Sequence, residues 1–150
     1  MRAVVQRVRE ASVMVDGAIV GAIGSGLLVL LGVHREDTVA DVTWMAHKLL
    51  NLRILADADG KLNESVLQQS AEILVVSQFT LYGDARKGFR PSFIDAAPAA
   101  EGEVLYRQVV HALEQGLGRP VPTGSFGAMM DVQLINDGPV TIILDSPALA

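Results

Sequence analysis

The chain has 150 residues, half of them hydrophobic, with no cysteine and a formal net charge of −5 at pH 7. That length and apolar content suit a single domain spanning 1–150 with a substantial core. The absence of cysteine excludes disulfides and thiolate chemistry, and the net acidity weighs against a general nucleic-acid binder, which needs a basic field.

The opening MRAVVQRVRE carries four charges and is followed by no apolar core or small-residue cleavage site, so it does not read as a signal peptide. The longest apolar runs, such as GLLVLLGV at 26–33, are too short to cross a bilayer. A cytoplasmic protein without a membrane partner is the expectation. Asp16-Gly17 lies between Val13-Met14-Val15 and Ala18-Ile19-Val20, a strong short-range hairpin signal. GLLVLLGV reads as a strand buried on both faces. Val39, Val42, Met45, Ala46 and Leu49 recur at helical spacing, which predicts a helix over 38–50 capped by Asp37 or Thr38.

LRIL at 52–55 reads as a short strand and DADGKLN at 57–63 as a polar turn. EILVVSQFTLYG at 72–83 reads as a second buried strand whose end turns polar. DARKGFRPSF is an irregular loop holding the dense basic cluster Arg86, Lys87 and Arg90. A second helix is predicted from Pro98 to about Leu117, with Tyr106, Val109, Val110, Leu113 and Leu117 as its stripe and Gly118 at its end. GSFGAMMDVQLIN and VTIILD read as two strands joined at Asp137-Gly138-Pro139. The result is a mixed α/β fold, with β-sheets packed face to face in a barrel-like arrangement and two main helices covering one side.

GAIGSG at 21–26 lacks the spacing of a dinucleotide or phosphate-binding loop. His34, His47 and His111 are far apart and share no ligand spacing with a carboxylate, so neither a metal nor a cofactor is expected. What remains is SQFTL at 77–81, polar groups at the end of an apolar strand. Alternation there puts Ser77, Phe79 and Leu81 on one face and Gln78 and Thr80 on the other. Thr80 is either a β-former satisfied by the backbone or a nucleophile, and the sequence supplies no base at a recognisable spacing.

Taken in order, MRAVVQRV, GLLVLLGV, SQFTLYGD, RKGFRPSF, TGSFGAMM and NDGPVTIILDS make the chain resemble a D-aminoacyl-tRNA deacylase almost end to end. The most specific pieces are Ser77-Gln78-Phe79-Thr80 and Asn136-Asp137-Gly138-Pro139-Val140-Thr141. Phe89 departs from the polar residue the resemblance leads one to expect. The resemblance implies hydrolysis of D-amino acids, and of glycine mischarged on tRNA-Ala, from the tRNA acceptor end. It implies a homodimer in which a cis Gly138–Pro139 peptide enters the partner subunit's pocket.

It also implies chiral selection by Gly138 and Pro139. Arg7 either braces that loop or is a surface strand residue, and Arg86, Lys87 and Arg90 either contact tRNA or form a solvated loop. The active-site stretch is Ser77, Gln78, Phe79 and Thr80. There the N–H of Phe79 or Thr80 would hold the oxyanion, and Gln78 and Ser77 would orient the ribose or carbonyl. The 2′-hydroxyl of the terminal adenosine would assist attack. A non-catalytic RNA- or partner-binding module, and a hydrolase of free D-amino-acid esters or peptides, are the rival classes.

Overall fold

The computed structural model describes residues 1–147. Seven strands and two α-helices are present: β1 (Arg2–Val15), β2 (Ala18–Ile23), β3 (Gly26–Gly32), α1 (Val39–Asn51), β4 (Leu55–Ala56), β5 (Leu62–Glu64), β6 (Glu72–Ser77), α2 (Ala99–Leu117) and β7 (Asp131–Asp145). A short 3-10 helix, Phe79–Tyr82, comes directly after β6.

β1 organises the sheet. Val5 pairs with Val29 of β3 and with Ile142 of β7, while Ala11 pairs with Ile23 of β2 and with Leu134 of β7. Each residue has only two edges, so β2 and β3 succeed one another along one side of β1 and β7 runs along the other. The hairpin at Asp16-Gly17 carries positive φ at both residues, as a tight turn between twisted strands requires. β6 lies parallel to β3, completing a curled, half-barrel sheet, and β4 and β5 form a separate two-stranded ladder.

Both helices cover one face. Thr38 caps α1 in a capping box with Asp41, and Gly118 ends α2 in the left-handed conformation at φ +70°. Val42, Met45, Ala46 and Leu49 of α1 and Tyr106, Val109 and Leu113 of α2 join Ala3, Val5, Leu27, Val29, Leu31, Ile73 and Val75 in the larger core. Val8, Ala11, Val13, Ile23, Leu28, Leu74 and Val76 make a smaller core on the opposite face. β3 and β6 are therefore apolar on both sides, as their unbroken aliphatic runs predict.

The structure departs from the sequence reading in four places, the first being that residues 52–54 are not strand and β4 begins only at Leu55. The strand predicted over 72–83 ends at Ser77, because β3 ends at Gly32 and offers no further ladder. The chain instead closes Leu81 N–H to Gln78 O (3.2 Å) and Gly83 N–H to Thr80 O (2.9 Å). Alternating faces therefore do not describe residues 79–81. The polar stretch 57–63 contributes β5 as well as its turn. Finally, residues 124–130 are not strand, and residues 131–145 form one strand rather than two, since both flanks of Gly138–Pro139 stay on β1.

Candidate active site

The ladder between β1 and β7 shifts register twice, between Gln6 and Val8 and again between Val8 and Glu10, and the first shift is the larger. Gln6 pairs with Thr141 and Val8 with Asn136, so Arg7 alone faces the four residues Asp137–Val140. The surplus main chain protrudes as a loop. Gly138 sits at φ +129°, and the Gly138–Pro139 peptide is cis. A Cβ at Gly138 would meet Val140 N and Cγ2 at 3.0 Å and the Arg7 guanidinium at 3.2 Å, so only glycine fits without movement.

Arg7 lies directly beneath this loop. Its Nε donates to Asp137 O at 3.0 Å and its other guanidinium nitrogen donates to Ile54 O at 3.0 Å. The Asp137 carboxylate adds an ion pair to Arg7 at 3.5 Å and a longer one to Arg9 at 3.9 Å. One planar fork thus links the loop to the segment between α1 and β4. The Ile54 carbonyl could not be anticipated from sequence, because nothing local marks a backbone acceptor 47 residues away.

The second group of candidates surrounds the 3-10 helix. Gln78 N–H makes the last bond to β3, donating to Leu31 O at 2.9 Å. Beyond it, the N–H groups of Phe79 and Thr80 begin a helical turn, where first donors have no intrahelical acceptor. Phe79 and Thr80 are exposed, whereas Ser77 and Gln78 are half-buried. Gln78 Nε2 donates to Thr80 Oγ1, and among the described residues no histidine or carboxylate bonds that hydroxyl.

The turn is held from below. Arg2 donates to Leu81 O at 3.3 Å, lies over the Tyr82 ring and pairs with Asp145 at 2.7 Å. Burial pushes the Tyr82 hydroxyl well above its ordinary pKa, so it stays protonated as packing material. The pairing of Arg2 with Leu81 O carries no sequence signal.

The basic cluster occupies the loop after the turn, closed by two 2.8 Å hydrogen bonds between Asp84 and Ser92. Arg86 is paired with Asp84 at 2.6 Å, and its guanidinium holds that carboxyl down to about 2. Lys87 and Arg90 are exposed and, among the described residues, make no ion pair. His47 and His111 are exposed on the helices, and no cluster of potential metal ligands occurs among the described residues.

The structure brings Arg7, Gly138 and Pro139 together, and separately Ser77, Gln78, Phe79 and Thr80. It does not join the two groups within one chain. The 3-10 helix lies beside Arg2, and Arg7 is five residues further along β1, roughly 17 Å at about 3.4 Å per residue.

The family model described as D-Tyr-tRNA(Tyr) deacylase matches residues 4–145, a span that includes both groups. The chain belongs to the D-aminoacyl-tRNA deacylase family. A D-aminoacyl-tRNA deacylase of Chlorobaculum parvum is 58% identical over 98% of this chain and 99% of its own. One of Myxococcus xanthus is 59% identical over 100% of this chain and 97% of its own. The solved structure of a protein named c-Myc DNA Unwinding Element Binding Protein superposes with a TM-score of 0.93 at 47% identity, covering 98% of this chain and 99% of that one. A second solved structure, of a probable eukaryotic D-amino acid tRNA deacylase, shares the fold at a TM-score of 0.83 and 20% identity, over 95% of this chain and 97% of that one. The deacylases are ester hydrolases. No helix among the described residues is long and apolar enough to cross a membrane.

Proposed function

We propose that the protein hydrolyses the ester of D-aminoacyl-tRNA, releasing free tRNA and the D-amino acid, and that it selects handedness with main chain rather than with a side-chain pocket. The observation that carries this reading is the Asp137–Val140 protrusion, clamped by Arg7 and open only to glycine at position 138. An enzyme acting on many amino acids of one handedness cannot discriminate by packing a side chain, because a fitted pocket selects for size. It must read the groups all amino acids share. Carbonyls aimed from Gly138 and Pro139 suit an α-ammonium, and a fixed backbone wall leaves room for a D side chain while an L side chain runs into it. Glycine has no side chain to reject, so glycyl-tRNA, including glycine mischarged on tRNA-Ala, is a second substrate.

In this reading the ester carbonyl lies over the start of the 3-10 helix. There the N–H of Phe79 or Thr80 holds the developing oxyanion, a contribution of roughly 3 kcal/mol for one well-placed donor. Gln78 and Ser77 orient the terminal ribose or the carbonyl. The 2′-hydroxyl of the terminal adenosine assists attack, in keeping with a Thr80 hydroxyl that, among the described residues, is bonded by Gln78 alone.

The separation between the clamped loop and the turn makes a second copy of the chain the natural completion of the site, each loop entering the partner subunit. The exposed apolar residues Val132, Leu134, Ile135 and Ile143 of β7 suit such a neighbour. Arg86, Lys87 and Arg90 contact the tRNA backbone at the acceptor end. The deciding experiment incubates the protein with D-tyrosyl-tRNA, L-tyrosyl-tRNA and D-tyrosine methyl ester. Selective loss of the first supports the reading. Equal hydrolysis of both tRNA esters overturns chiral selection, and equal turnover of the methyl ester makes the protein a general D-ester hydrolase.

A further inference from the structure

The chain has four phenylalanines. One, Phe126, packs against the core beside Tyr106. The other three, Phe79, Phe89 and Phe93, are 59%, 105% and 37% exposed. Aliphatic residues fill the interior, while most of the phenylalanine stands on one stretch of surface from the 3-10 helix through the basic loop.

Phe79 and Phe93 meet edge to face with ring centroids 5.4 Å apart. Gly83 permits this, since a Cβ there would lie 3.0 Å from the Phe93 ring. Among the described residues Phe89 has no such partner. It stands between Lys87 and Arg90 on a loop closed at its base by the Asp84–Ser92 hydrogen bonds, with Gly88 at φ +92° turning the chain just before it. A free aromatic face flanked by unpaired cations is the composition that holds single-stranded nucleic acid, with rings stacking on bases and cations following phosphates. A protein-binding hot spot would sit instead among apolar neighbours.

We infer that Phe89 is a stacking residue for an unpaired base of the tRNA 3′ end, with Lys87 and Arg90 holding the adjoining phosphates. This rests on the proposed substrate and deepens it. The loop leaves the 3-10 helix within two residues of Tyr82. A tRNA whose terminal ester reaches the N–H groups of Phe79 and Thr80 therefore lays its preceding unpaired nucleotides across this loop.

The test measures binding of uncharged tRNA, with its unpaired 3′ nucleotides intact or removed, to the parent protein, Phe89→Leu and Phe89→Trp. Phe89→Leu keeps apolar bulk and removes the aromatic face, so it should weaken intact tRNA about tenfold, whereas Phe89→Trp should hold affinity within about twofold. Removing the unpaired nucleotides should abolish the difference. Thermal unfolding should not change, because the ring is fully exposed. With D-tyrosyl-tRNA, the leucine variant should raise KM at constant kcat.

Equal binding by parent and Phe89→Leu overturns the inference. So does a leucine variant whose only change is in self-association, which would make Phe89 a contact between copies. If the parent fails to hydrolyse D-tyrosyl-tRNA yet Phe89→Leu still weakens tRNA binding, the proposed reaction falls and the stacking stands.

Discussion

Arg7 Nε sits 3.0 Å from the carbonyl oxygen of Asp137, 130 residues away in the chain, while its other guanidinium nitrogen holds Ile54 O. The side chain is 13% exposed, so both bonds are largely shielded from water. Arg7→Met should leave two carbonyls unpaired, at about 1–3 kcal/mol each for a buried group. The expected outcome is a lower denaturation midpoint with a larger loss of deacylation. Arg7→Lys should restore only part of the activity, because an ammonium cannot reproduce the planar fork. Chemical denaturation and kcat/KM, measured together on both variants, check this.

Gly138→Ala introduces a Cβ at a φ of +129°, 3.0 Å from Val140 N. Strain of about 1–3 kcal/mol at such a residue is relieved by moving the loop. Hydrolysis of D-tyrosyl-tRNA should drop roughly tenfold to a hundredfold, the equivalent of that energy in rate. The discrimination against L-tyrosyl-tRNA should narrow at the same time. Parallel rate measurements on the two esters check it.

Thr80→Ala removes a hydroxyl whose partner is Gln78. Deacylation should persist within about tenfold of the parent, since the backbone N–H remains to hold the oxyanion. Replacing the terminal 2′-hydroxyl of the substrate with hydrogen should slow the reaction far more. Abolished turnover in a folded Thr80→Ala protein, or an unchanged rate on the deoxy substrate, would favour a covalent threonine mechanism instead.

Lys87 and Arg90 are the free cations of the basic loop, whereas Arg86 is held by Asp84. Changing Lys87 and Arg90 together to Gln should reduce the slope of log affinity against log salt by about 1.5, at roughly 0.7–0.9 for each phosphate no longer neutralised. Asp84→Asn should steepen the slope by freeing Arg86. Filter binding of tRNA across a salt series reads both effects.

Burial holds the Tyr106 hydroxyl up to about 12, and that hydroxyl donates to Val75 O at 3.0 Å. The folded value lies above the ordinary 10, so this contribution to stability is complete below pH 10 and is lost as pH rises toward 12. Tyr106→Phe should cost stability at neutral pH and flatten the alkaline decline. Tyr82, shifted the same way by burial, should carry the part that remains. Denaturation midpoints from about pH 8 to about pH 11.5 measure the difference.

Periodicity and punctuation were enough to locate α1, α2, the Asp16-Gly17 hairpin and the doubly buried strands. In each case the local pattern and the tertiary environment agree. The 3-10 helix was not legible. Phe79-Thr80-Leu81-Tyr82 is a β-forming run, and it turns only because β3 has ended and Arg2 receives Tyr82 beneath its guanidinium. The character of the Asp137–Val140 loop was hidden for the same kind of reason. Gly-Pro marks a break in the strand, but only the ladder shows that β1 holds both sides of it. SQFTL and the basic cluster stand out from the residues alone, their roles and those of Gly138, Pro139 and Arg7 come from resemblance, and the distance between the two groups emerges only from β1.

The flanks of that loop are aligned independently, Arg2–Gln6 with Asp145–Thr141 on one side and Glu10–Met14 with Ile135–Asp131 on the other. The intervening main chain is therefore a cassette whose composition, and even length, can change while the sheet keeps its registration. A deletion within the flank has no such latitude. Losing one residue at Ile143 turns outward either Leu144 or the pair Val140 and Ile142, depending on which side keeps its register, so tolerance to insertion and deletion should end abruptly at Thr141.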